Sequence, residues 1–153
     1  MPSLDNKIPP PVIGIVVATG MWELSALGPY LALAAPLKQV IIALLVATGL
    51  ALDVLGLMAF RRARTTVNPL RPQQVSSMVT GGVYRYTRNP MYLGMAVLLL
   101  AWAVHLSALP SFLGVVVFVL YITRFQIQPE ERALQAGFGE EYLAYASRVR
   151  RWL

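Results

Sequence analysis

In the run Gly82-Val83-Tyr84-Arg85-Tyr86-Thr87-Arg88-Asn89-Pro90-Met91-Tyr92-Leu93-Gly94, two arginines, three tyrosines, two glycines and a proline precede an apolar stretch, Met91 to Leu109. Guanidinium groups bind planar anions in fixed geometry, and glycines allow close backbone approach. Such a cluster at the mouth of a membrane span would place a charged ligand beside a lipophilic one. The simpler account makes Arg85 and Arg88 positive-inside anchors and the tyrosines an interfacial belt. The order and spacing of the motif favour the binding account.

A second chemical patch follows at Gln128-Pro129-Glu130-Glu131-Arg132, continued by Leu134, Phe138-Gly139-Glu140-Glu141-Tyr142 and Tyr145. Pro129 suits a first helical turn, and acidic residues suit the positive end of a helix. Leu134, Phe138, Tyr142, Tyr145 and Val149 recur at helical intervals, which predicts one or two short amphipathic helices. Glu140 and Glu141 read as surface capping groups. Glu130 and Glu131 face the arginine-rich mouth, so at least one is expected to have a defined partner. Two further carboxylates, Glu23 and Asp53, sit inside apolar segments, where a charge costs a few kcal/mol. Asp53 either serves function or pairs with an arginine such as Arg61 or Arg124.

The elements that must position these groups follow from composition. The chain has 153 residues, 57% hydrophobic and 13% charged, against about a quarter charged in soluble domains. This is an integral membrane protein of one domain. With no cysteine and one histidine, His105, a metal site is not expected. The N-terminus, Met1 to Pro11, carries Asp5 and Lys7 and ends in three prolines, which does not suit a cleavable signal. Four apolar segments are read, Val12 to Ala35, Leu37 to Phe60, Met91 to Leu109 and Ser111 to Ile127, each near the roughly 20 residues that cross a bilayer. Arg61, Arg62, Arg64, Arg71, Arg85 and Arg88 lie between the second and third, and Arg132, Arg148, Arg150 and Arg151 follow the fourth. Positive charge marks the cytoplasmic side, so both termini and the middle loop are expected there.

The expected fold is all-α: a polytopic membrane protein of about four transmembrane helices, with a C-terminal helical hairpin and short cytoplasmic amphipathic helices. Residues 1–60 would supply two spans, 61–90 a cytoplasmic loop, 91–127 a transmembrane hairpin and 128–153 a cytoplasmic tail capping a cofactor. The connection Ser107 to Ser111 allows only a tight turn, returning Arg124 to Glu131 to the face that carries the first motif.

These two patches resemble the isoprenylcysteine carboxyl methyltransferase and phospholipid methyltransferase family of membrane enzymes. The family pattern is carried by Gly82, Tyr84, Arg85, Arg88, Pro90, Tyr92 and Gly94, then by Glu130, Glu131, Leu134, Phe138, Gly139, Tyr142 and Tyr145. Asn89 departs from it, standing where the isoprenylcysteine enzymes have histidine; an amide can hydrogen-bond but cannot titrate near neutrality. The resemblance covers Val79 to Trp152. It implies S-adenosylmethionine as methyl donor, bound on the cytoplasmic side by Tyr84, Arg85, Arg88, Asn89, Pro90, Tyr92, Gly94, Glu130, Glu131, Phe138, Tyr142 and Tyr145. Arg85 or Arg88 would take the donor's carboxylate, and Glu130 or Glu131 its ammonium or ribose diol. Gly94 would let the donor approach the third span. Arg124, Asn89 and Glu131 are the expected catalytic residues, Arg124 holding the acceptor's head group.

A Rossmann site is excluded, because Gly81-Gly82 opens no βαβ unit. The acceptor would be a lipid or small hydrophobic molecule entering from the bilayer, its nucleophile a carboxylate, thiol or amine. Membrane lipids are expected neighbours, and nucleic acid is not an expected partner. Two other classes fit less well: a nicotinamide-dependent membrane reductase, whose tail motif is not seen here, and a non-catalytic scaffold.

Overall fold

The computed structural model describes residues 5–63 and 78–153. Arg64, Arg71 and the polar, proline-bearing part of the middle loop at 65–77 lie outside the described residues. The elements are helix α1 (Pro10–Ser25), helix α2 (Ala35–Ala63), a 3₁₀ turn at Gly82–Arg85, helix α3 (Pro90–Leu106), a 3₁₀ turn at Leu109–Ser111, helix α4 (Phe112–Ile122), a π-turn at Thr123–Ile127 and helix α5 (Gln128–Ala146). No strand occurs among the described residues; a single bridge joins Tyr30 to Ala108.

Prolines set the helix starts. Pro10 and Pro90 open α1 and α3, where a missing N–H leaves no helical bond unmade. The first apolar segment is shorter as a helix than its sequence suggests, since α1 stops at Ser25. The stretch beyond it turns back onto the α3–α4 connection, with the Leu31 amide donating to the Ser107 carbonyl (2.6 Å) and the Leu109 amide to that of Pro29 (3.0 Å). Ser107 ends α3 in the left-handed region (φ 57°), completing the tight turn expected there.

The fourth apolar segment runs into the acidic patch without a break. In place of separate short helices, α4, the π-turn and α5 form one continuous rod, bent where Gly139 leaves helical geometry (φ 50°, ψ −122°). Pro129 explains the π-turn. It has no N–H for the Phe125 carbonyl and its ring would crowd that oxygen, so the preceding turn widens. The freed Phe125 carbonyl instead accepts from the Asn6 amide at 2.9 Å. Gln126 adds a bond from Nε2 to the Ile8 carbonyl (2.8 Å). One proline thereby fixes the segment before α1 against the start of the acidic patch.

Helix α2 packs chiefly on α3 and the 82–85 turn, whereas α1 leans on α3 and α4. The α2–α3 crossing is close because glycines face each other: a Cβ on Gly94 would collide with Asp53 and with the Gly49 carbonyl oxygen. Small residues serve this purpose where two apolar helices meet in lipid. The core joins Ile13 and Met21 of α1 to Leu99 of α3 and to Phe118, Ile122 and Ile127. Outward, Ile15, Leu44, Val116 and Leu120 are exposed, as lipid-facing side chains would be. Two helical stretches, Ala35–Ala63 and Leu109–Ala146, are long and apolar enough to cross a membrane; α1 and α3 are shorter apolar helices.

Candidate functional site

A cavity of about 620 Å³ opens where the start of α3, the 82–85 turn, the inner face of α2 and the start of α5 converge. That volume lies within the roughly 300–1,000 Å³ of small-molecule sites. Its polar wall holds Tyr84, Arg88, Asn89, Tyr92, Glu130, Glu131, Tyr142 and Tyr145. Its apolar wall is formed by Val54, Leu57, Phe60, Met91 and Met95, with Pro10 and Pro11 contributed by α1 and with Asp53 set among them.

Glu131 is the hub of the polar wall. Arg88 Nη2 donates to its Oε1 (2.7 Å), while Arg151 donates from Nη2 to Oε2 (2.6 Å) and from Nε to Oε1 (3.0 Å). Arg88 also donates from Nη1 to the Ala146 carbonyl (3.0 Å), and its Nε is buried without a partner among the described residues. The chain's last residues wrap over this hub. The Arg88 amide donates to the Arg150 carbonyl (3.0 Å), Asn89 Nδ2 donates to the Arg151 carbonyl (2.9 Å), and Trp152 Nε1 donates to Thr123 Oγ1 (3.1 Å).

Glu130, one residue earlier, has a different environment. It accepts one bond, from the Tyr92 hydroxyl (2.6 Å). Burial pushes its carboxyl up from the ordinary 4.5 to about 7; the Tyr92 bond opposes that shift and the neighbouring Glu131 charge adds to it. The tyrosines around it are buried phenols. Burial raises Tyr145 to about 12 and carries Tyr84 higher still, so both stay neutral as donors. Tyr145 donates to the Tyr84 carbonyl (2.7 Å), and the Tyr84 ring meets Phe60 edge-on with centroids 5.5 Å apart.

Of the residues expected to hold the cofactor, the structure brings Tyr84, Arg88, Asn89, Tyr92, Glu130, Glu131, Tyr142 and Tyr145 to one cavity. Four others lie outside the lining of this cavity. Arg85 is exposed and outside the lining, because the short 3₁₀ turn that buries Tyr84 directs its neighbour outward. Gly94 serves the α2–α3 contact, its missing side chain replaced by Asp53. Pro90 is buried at the head of α3, and Phe138 packs against Tyr142, Tyr145 and Val149 behind the wall. Arg124, expected to hold the acceptor, lies off the cavity. Its side chain is 55% exposed, pairs with Asp5 at 3.5 Å and sits over the Phe125 ring.

Asp53 pairs with neither Arg61 nor Arg124. It lines the cavity with Oδ1 buried and without a hydrogen-bond partner among the described residues. Sequence reasoning missed Arg151, which had counted only as one positive charge of the tail. The signal that could have found it is the conjunction of a second carboxylate at Glu131 with an unclaimed arginine near the chain's end.

A family model described as phospholipid methyltransferase matches residues 37–141, and the chain belongs to that family. An uncharacterised protein of Haemophilus influenzae is 48% identical over 63 residues, 41% of this chain and 100% of its own length. Protein-S-isoprenylcysteine O-methyltransferase B of Arabidopsis thaliana is 33% identical over 92 residues, 58% of this chain and 45% of its own. A probable protein-S-isoprenylcysteine O-methyltransferase of Oryza sativa subsp. indica is 34% identical over 109 residues, 69% of this chain and 55% of its own. The chain thus spans about half the length of these plant relatives. No solved structure matches it.

Proposed function

We propose that the protein is an S-adenosylmethionine-dependent methyltransferase acting on a lipophilic acceptor that enters from the bilayer. The observation that carries this reading is one cavity with a charged, tyrosine-rich wall facing an apolar wall, which suits a polar donor meeting a greasy acceptor. The residues fit the donor. Glu130, whose carboxyl is bonded to Tyr92 alone among the described residues, has an oxygen to offer an ammonium or a ribose diol. Tyr84, Tyr142 and Tyr145 offer aromatic faces, which favour a cation. Arg88 Nε is a donor still to be satisfied, suited to a carboxylate.

Bound S-adenosylmethionine supplies a methyl group already activated by positive sulfur. What the chain contributes is alignment and the exclusion of water. Glu131, itself held by Arg151, keeps Arg88 in place, and the final residues are bonded to Arg88 and Asn89. The reading extends to four spans, with both termini and the cavity mouth on the cytoplasmic side. That arrangement is supported by the arginine distribution and by the packing of the N-terminal segment, the tail and α5 at one end of the bundle.

The test is thermal unfolding of the detergent-solubilised protein with S-adenosylhomocysteine or with NADPH. The first should raise the midpoint in proportion to the logarithm of its concentration, and the second should not. Stabilisation by NADPH alone would overturn the assignment.

A further inference from the structure

Asp53 is a carboxylate in the apolar span α2, where a charge is costly unless something answers it. Nothing among the described residues does so. Oδ1 is buried with no hydrogen-bond partner, and no ion pair reaches the side chain among the described residues. The fold nonetheless makes room for it, since Gly94 lacks a side chain where Asp53 lies. Asp53 lines the cavity together with Val54, Leu57, Met91 and Met95 of the apolar wall, the part suited to a hydrocarbon tail.

The charges across the cavity point the same way. Arg88 is the one cationic side chain among the described residues lining it, and it is already bonded to Glu131 and the Ala146 carbonyl. An acceptor with a free carboxylate would meet Asp53 and Glu130, and among the described lining residues only the buried Nε of Arg88 would be left to answer it. An acceptor with an ammonium head would give Asp53 the partner it lacks.

Building on the proposed function, we propose that Asp53 selects the methyl acceptor, and that the acceptor is a lipophilic amine rather than a lipophilic acid. The plant relatives' names suggest a carboxylate acceptor; this chain's cavity argues for the opposite charge.

The experiment uses dodecylamine and dodecanoate, matched in tail and opposite in head charge, on the full chain in nanodiscs. Thermal unfolding gives an apparent affinity for each, in wild type and Asp53→Asn, without any methyl donor. Dodecylamine should bind wild type more tightly than dodecanoate. Asp53→Asn should weaken the amine by about tenfold, the size expected for one charge-assisted hydrogen bond, and leave dodecanoate unchanged or improved. Comparing the variant with wild type removes non-specific effects of a charged amphiphile. Equal amine affinity in the two proteins, stronger binding of dodecanoate, or binding of neither would overturn the proposal. S-adenosylhomocysteine in parallel separates the two levels: if it fails to stabilise wild type the methyltransferase reading falls, and if it succeeds while the amine arm fails only the Asp53 assignment falls.

Discussion

Glu131 receives two guanidiniums through three short hydrogen bonds, whereas Glu130, its neighbour in the chain, receives one phenol. Both were equal candidates as sequence, and their environments divide the labour between them. A carboxylate saturated by the protein's own cations builds the wall; one left short of partners, like Glu130 or Asp53, is available to a ligand. Structural and binding acids in one motif are thus told apart by counting partners, which the order of residues cannot supply.

The largest expected effect tests the saturated half. Glu131→Gln strands Arg88, itself mostly buried, and releases Arg151, whose carbonyl holds Asn89. Breaking a buried pair by removing one partner costs about 3–5 kcal/mol. The unfolding midpoint in detergent should fall sharply before any ligand is added, and the C-terminal residues should become open to carboxypeptidase. A variant as stable as wild type but deficient in S-adenosylhomocysteine binding would reverse the comparison and make Glu131 the ligand's partner.

Glu130 should behave in the opposite sense. Its carboxyl is raised from 4.5 to about 7 in the folded protein, so between those values the native state binds the proton that the unfolded chain has released. Stability from this group is therefore full below about pH 4.5 and lost as pH rises through about 7, by on the order of 3 kcal/mol. Glu130→Gln, which stays neutral, should flatten that part of the stability–pH profile and be relatively more stable at pH 8. A bound ammonium should draw the transition downward in wild type. An identical profile in wild type and Glu130→Gln would show that some other group sets the pH dependence.

Much of the fold was legible because bilayer physics simplifies it. Apolar length and the Ser107–Ser111 turn announced α3 and α4, and the two motifs announced which residues would share a cavity. What stayed hidden depended on partners distant in the chain. Pro129 was read as the start of a new helix, but its effect was to widen the preceding turn and hand the Phe125 carbonyl to Asn6. Gly94 was read as room for a ligand, although Asp53 fills that room. Asn89 lines the cavity, and its amide also bonds the Arg151 carbonyl, a partner no local pattern reveals. Arg151 itself lay beyond the motif that it completes.

The smallest expected effect concerns Arg124, the arginine expected to act and found elsewhere. It is largely exposed, its contact with Asp5 is long at 3.5 Å, and Arg132 already holds Asp5 at 2.9 Å. An exposed pair of this kind contributes about 0–1 kcal/mol, and the remaining arginine keeps Asp5 from being stranded. Arg124→Ala should shift the unfolding midpoint little, leave S-adenosylhomocysteine affinity unchanged, and leave the dodecylamine preference intact. The salt dependence of stability should weaken slightly, since a screened surface contact is gone. A selective loss of acceptor binding in Arg124→Ala, with donor affinity preserved, would place the acceptor's head group at the π-turn instead of at Asp53. The unpartnered carboxylate would then be a feature of α2–α3 packing alone, so this near-silent substitution bears directly on where the acceptor sits.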